Sequence, residues 1–329
     1  MILSVIRMSL PVIAVATTAS FVAVAPAAAQ TYPNRPINLI VPAPPGGGTD
    51  VFARALGEIL EGALKQKVVV ENRAGGGGTL GVTALTTARP DGYTLAFIWN
   101  SPLTTSPQSL AVPYTPANYK AVMSVGFSSY VLCAQPNFPA DNARDMIAKL
   151  KEPNARFTYG NDGVGGTMQL AAERIFQATG VKLRGVPFAG AGETAKNFLG
   201  GHVDFYGGSL PPILPHAQAG KAKCLLLTSA EGNPALPQAQ GLSAIGVAEQ
   251  ETVLWWGLIA PAGTPQPVLS QIEKAFVEAA NTDKFKEIMD KQGATRRVLG
   301  SAATTNLIAK ELEALGVVAK SLGIEKKTQ

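Results

Sequence analysis

The feature that most constrains this chain is a device that occurs twice: a short apolar run, a glycine-rich loop, then a stretch of helical periodicity. In the first half, Ile37 to Val41 runs into Pro42-Ala43-Pro44-Pro45-Gly46-Gly47-Gly48. A helix then begins near Thr49-Asp50, with Phe52, Leu56, Ile59, Leu60 and Ala63 on one face. In the second half, Arg156 to Gly160 runs into Asn161-Asp162-Gly163-Val164-Gly165-Gly166. The helix that follows, Thr167 to Thr179, puts Met168, Ala171, Ile175 and Ala178 on one face. Each device opens a longer alternation. Strands at Val68–Val70 and Thr94–Trp99 flank a helix at Leu80–Ala88. Later, strands at Leu183–Phe188, Val203–Tyr206 and Ala222–Thr228 alternate with helices at Glu193–Leu199 and Pro211–Ala219. Such alternation predicts parallel strands joined by right-handed helical crossovers.

A chain of 329 residues exceeds what one hydrophobic core usually supports. The expected fold is therefore α/β, two doubly wound lobes with a ligand cleft between them. Residues 30–129 plus 229–329 form the first lobe and residues 130–228 the second. The apolar stretch from Ala121 to Gln135 crosses between them, and helices near 265–280, 282–292 and 302–322 complete the first. Residues 1–29 read as an export signal: Arg7 gives the positive start, Leu10 to Val24 the apolar stretch, and Pro26-Ala27-Ala28-Ala29 a small-residue cleavage site after Ala29. Pro11 and the absence of a basic flank argue against a membrane anchor.

Composition removes several functions. Two Cys exclude a disulfide-built scaffold or a Cys-rich zinc module, and His202 and His216, expected at the surface, have no partner for a metal site. The net charge of +5 is spread out, with only Arg296-Arg297 and Lys326-Lys327 adjacent, so no nucleic-acid stripe is visible. Cys133 and Cys224 both sit in apolar runs. Export permits a bond between them, but burial as free, small hydrophobes is the expected state.

The glycine loops carry the candidate chemistry. A loop feeding a helix N-terminus exposes backbone N–H groups beside roughly half a positive charge. One such loop reads as an ordinary capped turn. Two of them, facing each other at the carboxyl ends of strands, predict a clamp for a carboxylate. Gly76-x-Gly78-x-x-Gly81 matches a dinucleotide pattern but lacks the acidic residue about 20 positions on, so no cofactor is expected. There is no phosphate-binding G-x-x-x-x-G-K-[ST] motif, no G-x-S-x-G, and no acid/base constellation. Trp255-Trp256 reads as core, while Trp99 ends a strand pointing at the cleft.

Several spaced blocks carry a family resemblance. They include Tyr32-Pro33-x-Arg35-Pro36-Ile37, Val41-Pro42-x-Pro44-Pro45-Gly46-Gly47-Gly48-Thr49-Asp50 and Val69-Val70-Glu71-Asn72-Arg73-x-Gly75-x-Gly77-Gly78. Pro90-Asp91-Gly92-Tyr93-Thr94-Leu95, Val186-Pro187-Phe188, Gly200-Gly201-x-Val203-Asp204, Trp256 and Ala260-Pro261-Ala262-Gly263-Thr264-Pro265 complete the set. From about Tyr32 to the last helix the chain resembles the solute-binding proteins of tripartite tricarboxylate transporters, the TctC or Bug family. The resemblance implies a monomeric periplasmic receptor of the type II binding-protein kind, not an enzyme. Such a receptor traps a small organic carboxylate with backbone amides and hydroxyls, and delivers it to a membrane permease. Carried onto this chain, the site would take Gly46, Gly47, Gly48, Thr49 and Asp50 from the first loop, and Gly163, Gly165 and Thr167 from the second. Ala189, Gly190 and Asp204 follow at later strand ends. Val164, Gly166, Gln169 and Phe188 from the same loops, with Trp99 and Asn100, complete the candidate set.

The chain departs from the family pattern in two blocks. Where the second loop commonly carries Ser before the Thr position and His two after it, this chain has Gly166 and Gln169. Where His-Val-Pro-Tyr-Lys-Gly is common, it has Gly185-Val186-Pro187-Phe188-Ala189-Gly190. A less polar pocket follows, suited to an aromatic or otherwise apolar monocarboxylate. The alternatives are a sensory adaptor that docks on a membrane sensor, or a doubly wound enzyme acting on a carboxylate.

Overall fold

The computed structural model describes residue 1, residues 32–188 and residues 190–326. The expected export signal with its cleavage after Ala29, and candidate residue Ala189, lie outside the described residues. The chain divides into Met1–Tyr32 and Pro33–Gln329, and every element below belongs to the second unit.

The first half contains β1 (Ile37–Val41), α1 (Gly48–Leu64), β2 (Val68–Asn72), α2 (Thr79–Thr86), β3 (Thr94–Trp99) and the short α3 (Ser101–Thr104) and α4 (Ser106–Ser109). A sixteen-residue strand, β4 (Tyr119–Ala134), leads to α5 (Ala143–Leu150), β5 (Thr158–Asn161), α6 (Thr167–Thr179), β6 (Arg184–Pro187) and α7 (Ala191–Leu199). Then come β7 (Phe205–Ser209), α8 (Leu210–Gln218), β8 (Lys223–Leu227), β9 (Val253–Pro261), α9 (Gln266–Ala280), α10 (Asp283–Lys291), β10 (Thr295–Gly300) and α11 (Ser301–Ser321). Among the described residues no helix is long and apolar enough to cross a membrane.

The predicted crossovers appear as two parallel trios. β1 lies between β2 and β3, and β5 pairs with β6 and β7, all parallel. The sheet is nevertheless mixed rather than parallel throughout. β9 runs antiparallel to β3, and β4 runs antiparallel to β9, β7, β8 and β10. Antiparallel neighbours need no helical crossover, so these strands leave no alternation for the sequence to display. β4 is the element that joins the trios. Tyr119 to Ser129 pairs with β9, and from Tyr130 onward the strand pairs with β7 and β8 instead. At the switch, Ser129 Oγ donates to Ser229 Oγ (2.7 Å) and Tyr130 N–H donates to Thr228 Oγ1 (3.1 Å).

Beyond the switch, β4 is buried on both faces. Tyr130, Leu132 and Ala134 join one apolar cluster with Phe138, Met146, Tyr159, Phe176 and Phe205. Val131 and Cys133 join another with Phe198, Tyr206, Ile213 and Leu227. This is the period-two alternation of a strand with a core on either side. Cys133 faces Cys224 across the β4–β8 register and the two are bonded, which corrects the expectation of free thiols. The pairing of β4 with β8 is tertiary, 91 residues apart in sequence, so local apolar patterning could not reveal it.

The short α3 and α4, together with β10 and α5, escaped the sequence reading. β10 carries Arg296-Arg297 and is half-exposed along its whole length, the usual charge placement on an edge strand. The Arg297 guanidinium sits 4.3 Å over the Phe127 ring, and Arg296 donates to Asn281 O at 2.9 Å. α5 has only eight residues and is set by its cap, Asn142 Oδ1 accepting from Asp145 N–H at 2.9 Å.

α11 brings a carboxylate into the core. Asn100 Nδ2 donates to Glu311 Oε1 at 2.5 Å, and Trp255 Nε1 donates to Oε2 at 2.6 Å. Burial pushes the Glu311 carboxyl up to about 7, against the pull of these hydrogen bonds. A folded-state value above the unfolded one favours folding fully below about 4.5, and that contribution is lost as pH rises through about 7. Wild-type protein is therefore expected to lose up to roughly 3 kcal/mol of stability between pH 5 and 8 relative to Glu311→Gln. Urea unfolding of both proteins at each pH checks this. Separately, Cys133→Ser/Cys224→Ser or added reductant should cost about 2–4 kcal/mol, read as a lower urea midpoint.

Candidate functional site

The carboxyl ends of β1, β3, β5 and β7 open onto a cavity of about 610 Å³. This is where open α/β sheets place their ligands. At the first loop, Gly46 has φ +86°, a left-handed turn that glycine adopts without strain. The loop delivers α1 with Gly48 and Thr49 facing the cavity and no side chain capping the helix. The first helical bond runs from Val51 N–H to Gly47 O, so the preceding amides have no partner within the helix. Trp256 Nε1 donates to Thr49 Oγ1 at 3.1 Å, which leaves the threonine proton free to donate elsewhere.

Asp50 turns away from the cavity. It accepts from Gly46 N–H (2.9 Å), Asn72 Nδ2 (2.9 Å) and Arg54 Nε (3.0 Å). Burial opposes its ionisation, but these donors outweigh burial and hold the carboxyl below its ordinary value. Its role is to brace the loop.

Aromatic residues supply much of the wall. Phe52 meets Trp256 edge-on with ring centroids 4.8 Å apart. Trp99 lies against Gly78, where a Cβ would sit 2.6 Å from the indole and 2.5 Å from Pro102. The glycines that resemble a dinucleotide motif thus make room for Trp99 and, at Gly81, for Pro42. Tyr130, Leu254, Pro211 and Pro212 continue the lining. Among the described residues, no Lys or Arg lines the cavity.

The second loop differs from the first. Asp162 lines the cavity, and its carboxylate caps α6, accepting from Met168 N–H (3.2 Å) and Gln169 N–H (3.3 Å). Burial pushes the Asp162 carboxyl up, while the helix-end amides pull it back part of the way. The other loop amides are also engaged. Gly163 N–H donates to Asn161 Oδ1 (3.0 Å), Gly165 N–H to Gln169 Oε1 (2.6 Å) and Gly166 N–H to Gly163 O (3.0 Å). Thr167 lines the cavity, its hydroxyl 2.9 Å from that of Thr105.

Of the candidate residues, the structure brings Gly48, Thr49, Trp99, Thr167 and Gly190 to the cavity wall. Gly46, Gly47, Gly163, Gly165, Gly166 and Gln169 shape the loops behind it. Val164 points outward, and Phe188 packs against Gly160. Asn100 is fully buried, donating to Val253 O as well as to Glu311. Asp204 lies at the amino ends of β5 and β7, where it accepts from the Thr158 N–H and hydroxyl, opposite to the cleft. The sequence reading missed Phe52, Tyr130, Asp162, Ser209, Trp256 and Gln292. Ser209 was findable, because it ends a strand and leads directly into a helix, as the two glycine loops do. Trp256 was assigned to the core; it is buried and faces the cavity as well.

Comparison with known proteins agrees with this architecture. Residues 52–324 match the tripartite tricarboxylate transporter family receptor, TctC. Protein BugT of Bordetella pertussis is 31% identical over 92% of this chain and 94% of its own length. A TctC solute-binding protein from Polaromonas superimposes with a TM-score of 0.78 at 27% identity, covering 88% of this chain and all of that one. An R. palustris protein solved with adipate has a TM-score of 0.74 at 25% identity, over 90% of this chain and all of that one. The matched family is one of transporter receptors and the Polaromonas relative is a solute-binding protein, neither an enzyme. Two mixed α/β halves sharing β4, a cavity at their strand ends and a match over most of the chain lead to one conclusion: the chain belongs to the TctC family of periplasmic solute-binding receptors.

Proposed function

We propose that this protein captures a small organic carboxylate, aromatic or otherwise apolar, in the periplasm and presents it to the permease of a tripartite transporter. The observation that carries the reading is the uncapped N-terminus of α1. It points into an aromatic-walled cavity lined by no Lys or Arg among the described residues. A helix end with free amides and the Thr49 hydroxyl holds an anion without a basic side chain. Phe52, Trp99, Trp256 and Tyr130 offer apolar and stacking surface to the rest of the ligand. Adipate in the R. palustris relative supports the carboxylate class. In this reading the signal is removed after Ala29, and the receptor works as a monomer.

Capture would be completed by closure. Residues 30–129 plus 229–329 would form one lobe and residues 130–228 the other, with the crossover segments near Ser128-Ser129 and Thr228-Ser229 as hinges. A membrane sensor in place of the permease is the alternative partner, and uptake measured against gene induction in a deletion strain separates the two.

Thr49→Ala is expected to weaken carboxylate binding by roughly 1–3 kcal/mol, the range for a hydrogen bond to a charged group. Thr49→Val should do no better, since it restores bulk without the donor. Calorimetric titration paired with melting curves checks this; a stability loss with unchanged affinity would reduce Thr49 to a structural residue. Solution scattering should give a smaller radius of gyration with saturating ligand than without it.

A further inference from the structure

The two glycine-loop helices do not present the same charge to the cavity. The end of α1 is open, whereas that of α6 is already occupied by Asp162 from the same chain. Gly166 makes this possible, because a Cβ there would lie 2.3 Å from Asp162 Oδ1. With Asp162 in place, the partial positive charge of α6 is spent internally, and a ligand anion gains nothing at that end. A second carboxylate of the ligand would instead meet a like charge in a space whose described lining holds no Lys or Arg. Such a contact between unscreened like charges is unfavourable.

An ionised carboxylate accepts about four hydrogen bonds, and the helix-end amides approach Asp162 from one side at long distances of 3.2 to 3.3 Å. Acceptor capacity therefore remains on the side that lines the cavity. The buried titratable groups that feel its charge do not neutralise it. Tyr130 and Tyr206, both deeply buried, are pushed up by burial first and by the Asp162 charge in addition. Neither supplies a cation.

Resting on the carboxylate reading above, we propose that Asp162 determines specificity. Its carboxylate accepts a hydrogen bond from a hydroxyl or ammonium group at the ligand's far end, so the receptor selects donor-bearing monocarboxylates and rejects dicarboxylates. The ligand would lie with its carboxylate at Gly48-Thr49 and its donor at Asp162, the aromatic walls between. Selection here works through repulsion of the wrong ligand as much as attraction of the right one.

The test is calorimetric titration of purified full-length protein with two matched series: benzoate, 4-hydroxybenzoate and terephthalate; hexanoate, 6-hydroxyhexanoate and adipate. In at least one series, wild-type protein should bind the hydroxy acid about tenfold or more tighter than the dicarboxylate. Asp162→Asn, which offers a donor and removes the charge, should bring the dicarboxylate level with the hydroxy acid or ahead of it. Asp162→Ser serves as a second neutral variant, whose shorter side chain leaves the α6 amides to water. It should likewise erase the discrimination, with helix content by circular dichroism unchanged. If wild-type protein binds a dicarboxylate as tightly as its hydroxy counterpart, and neither variant shifts the ratio, the role of Asp162 is overturned while the carboxylate reading stands. Binding of none of the six acids would overturn both.

Discussion

Backbone pairing along one strand holds the two halves of this molecule in register. β4 leaves β9 at Ser129 and takes β7 and β8 as partners from Tyr130, so its sixteen residues run from the sheet beside the first trio into that of the second. Each side of its second half feeds a different apolar cluster, and the Cys133–Cys224 bond fixes its register against β8. A one-residue slip would exchange the residues of the two clusters and break the disulfide alignment. The cavity depends on this register, because Tyr130, the first residue past the switch, is part of its wall.

The site is electrostatically lopsided, although the sequence devices that build it look alike. Both loops end a parallel strand and start a helix at a glycine with extended φ and ψ. What differs is where the local acid points. Asp50, two residues after Gly48, folds back to Gly46, Arg54 and Asn72, leaving the α1 end open. Asp162, upstream of its helix, reaches forward over Gly166 to the α6 amides. An acid after the glycines braces its loop. An acid before them closes the helix end with its own carboxylate.

The fold was legible where secondary structure follows local periodicity. Strands β1, β2, β3, β5 and β6, and helices α1, α6, α9 and α11, lie within a few residues of where apolar spacing put them. What stayed hidden depends on partners distant in sequence: the antiparallel pairing of β9 and β10, the Cys133–Cys224 bond, and the inward turn of Asn100 toward Glu311, which lies 211 residues away. The site was legible as two strand-end loops. The identities of Thr49, Trp99 and Thr167 as cavity residues followed from that rule, while Asp204 was placed at the wrong end of its strand. The rule selects carboxyl ends, and Asp204 precedes β7 rather than following it.

The two adjacent tryptophans show how closely core and cavity are coupled. Successive residues of a strand point to opposite faces. Trp255 accordingly sends its indole N–H to buried Glu311, and Trp256 sends its own to Thr49 at the cavity wall. The Asn100 N–H donates to Trp255 O, and its side chain donates to Glu311, so β3, β9 and α11 meet at one point behind Trp99. Adjacent residues of β9 therefore contact the buried carboxylate on α11 and the Thr49 hydroxyl at the cavity wall. α11 also packs Leu315, Val318 and Ala319 against Leu170 of α6, on the far side of the β4 switch. One helix thus touches the core behind the open end of α1 and the helix whose end Asp162 closes. A shift of that helix during ligand capture would alter both ends of the cavity together.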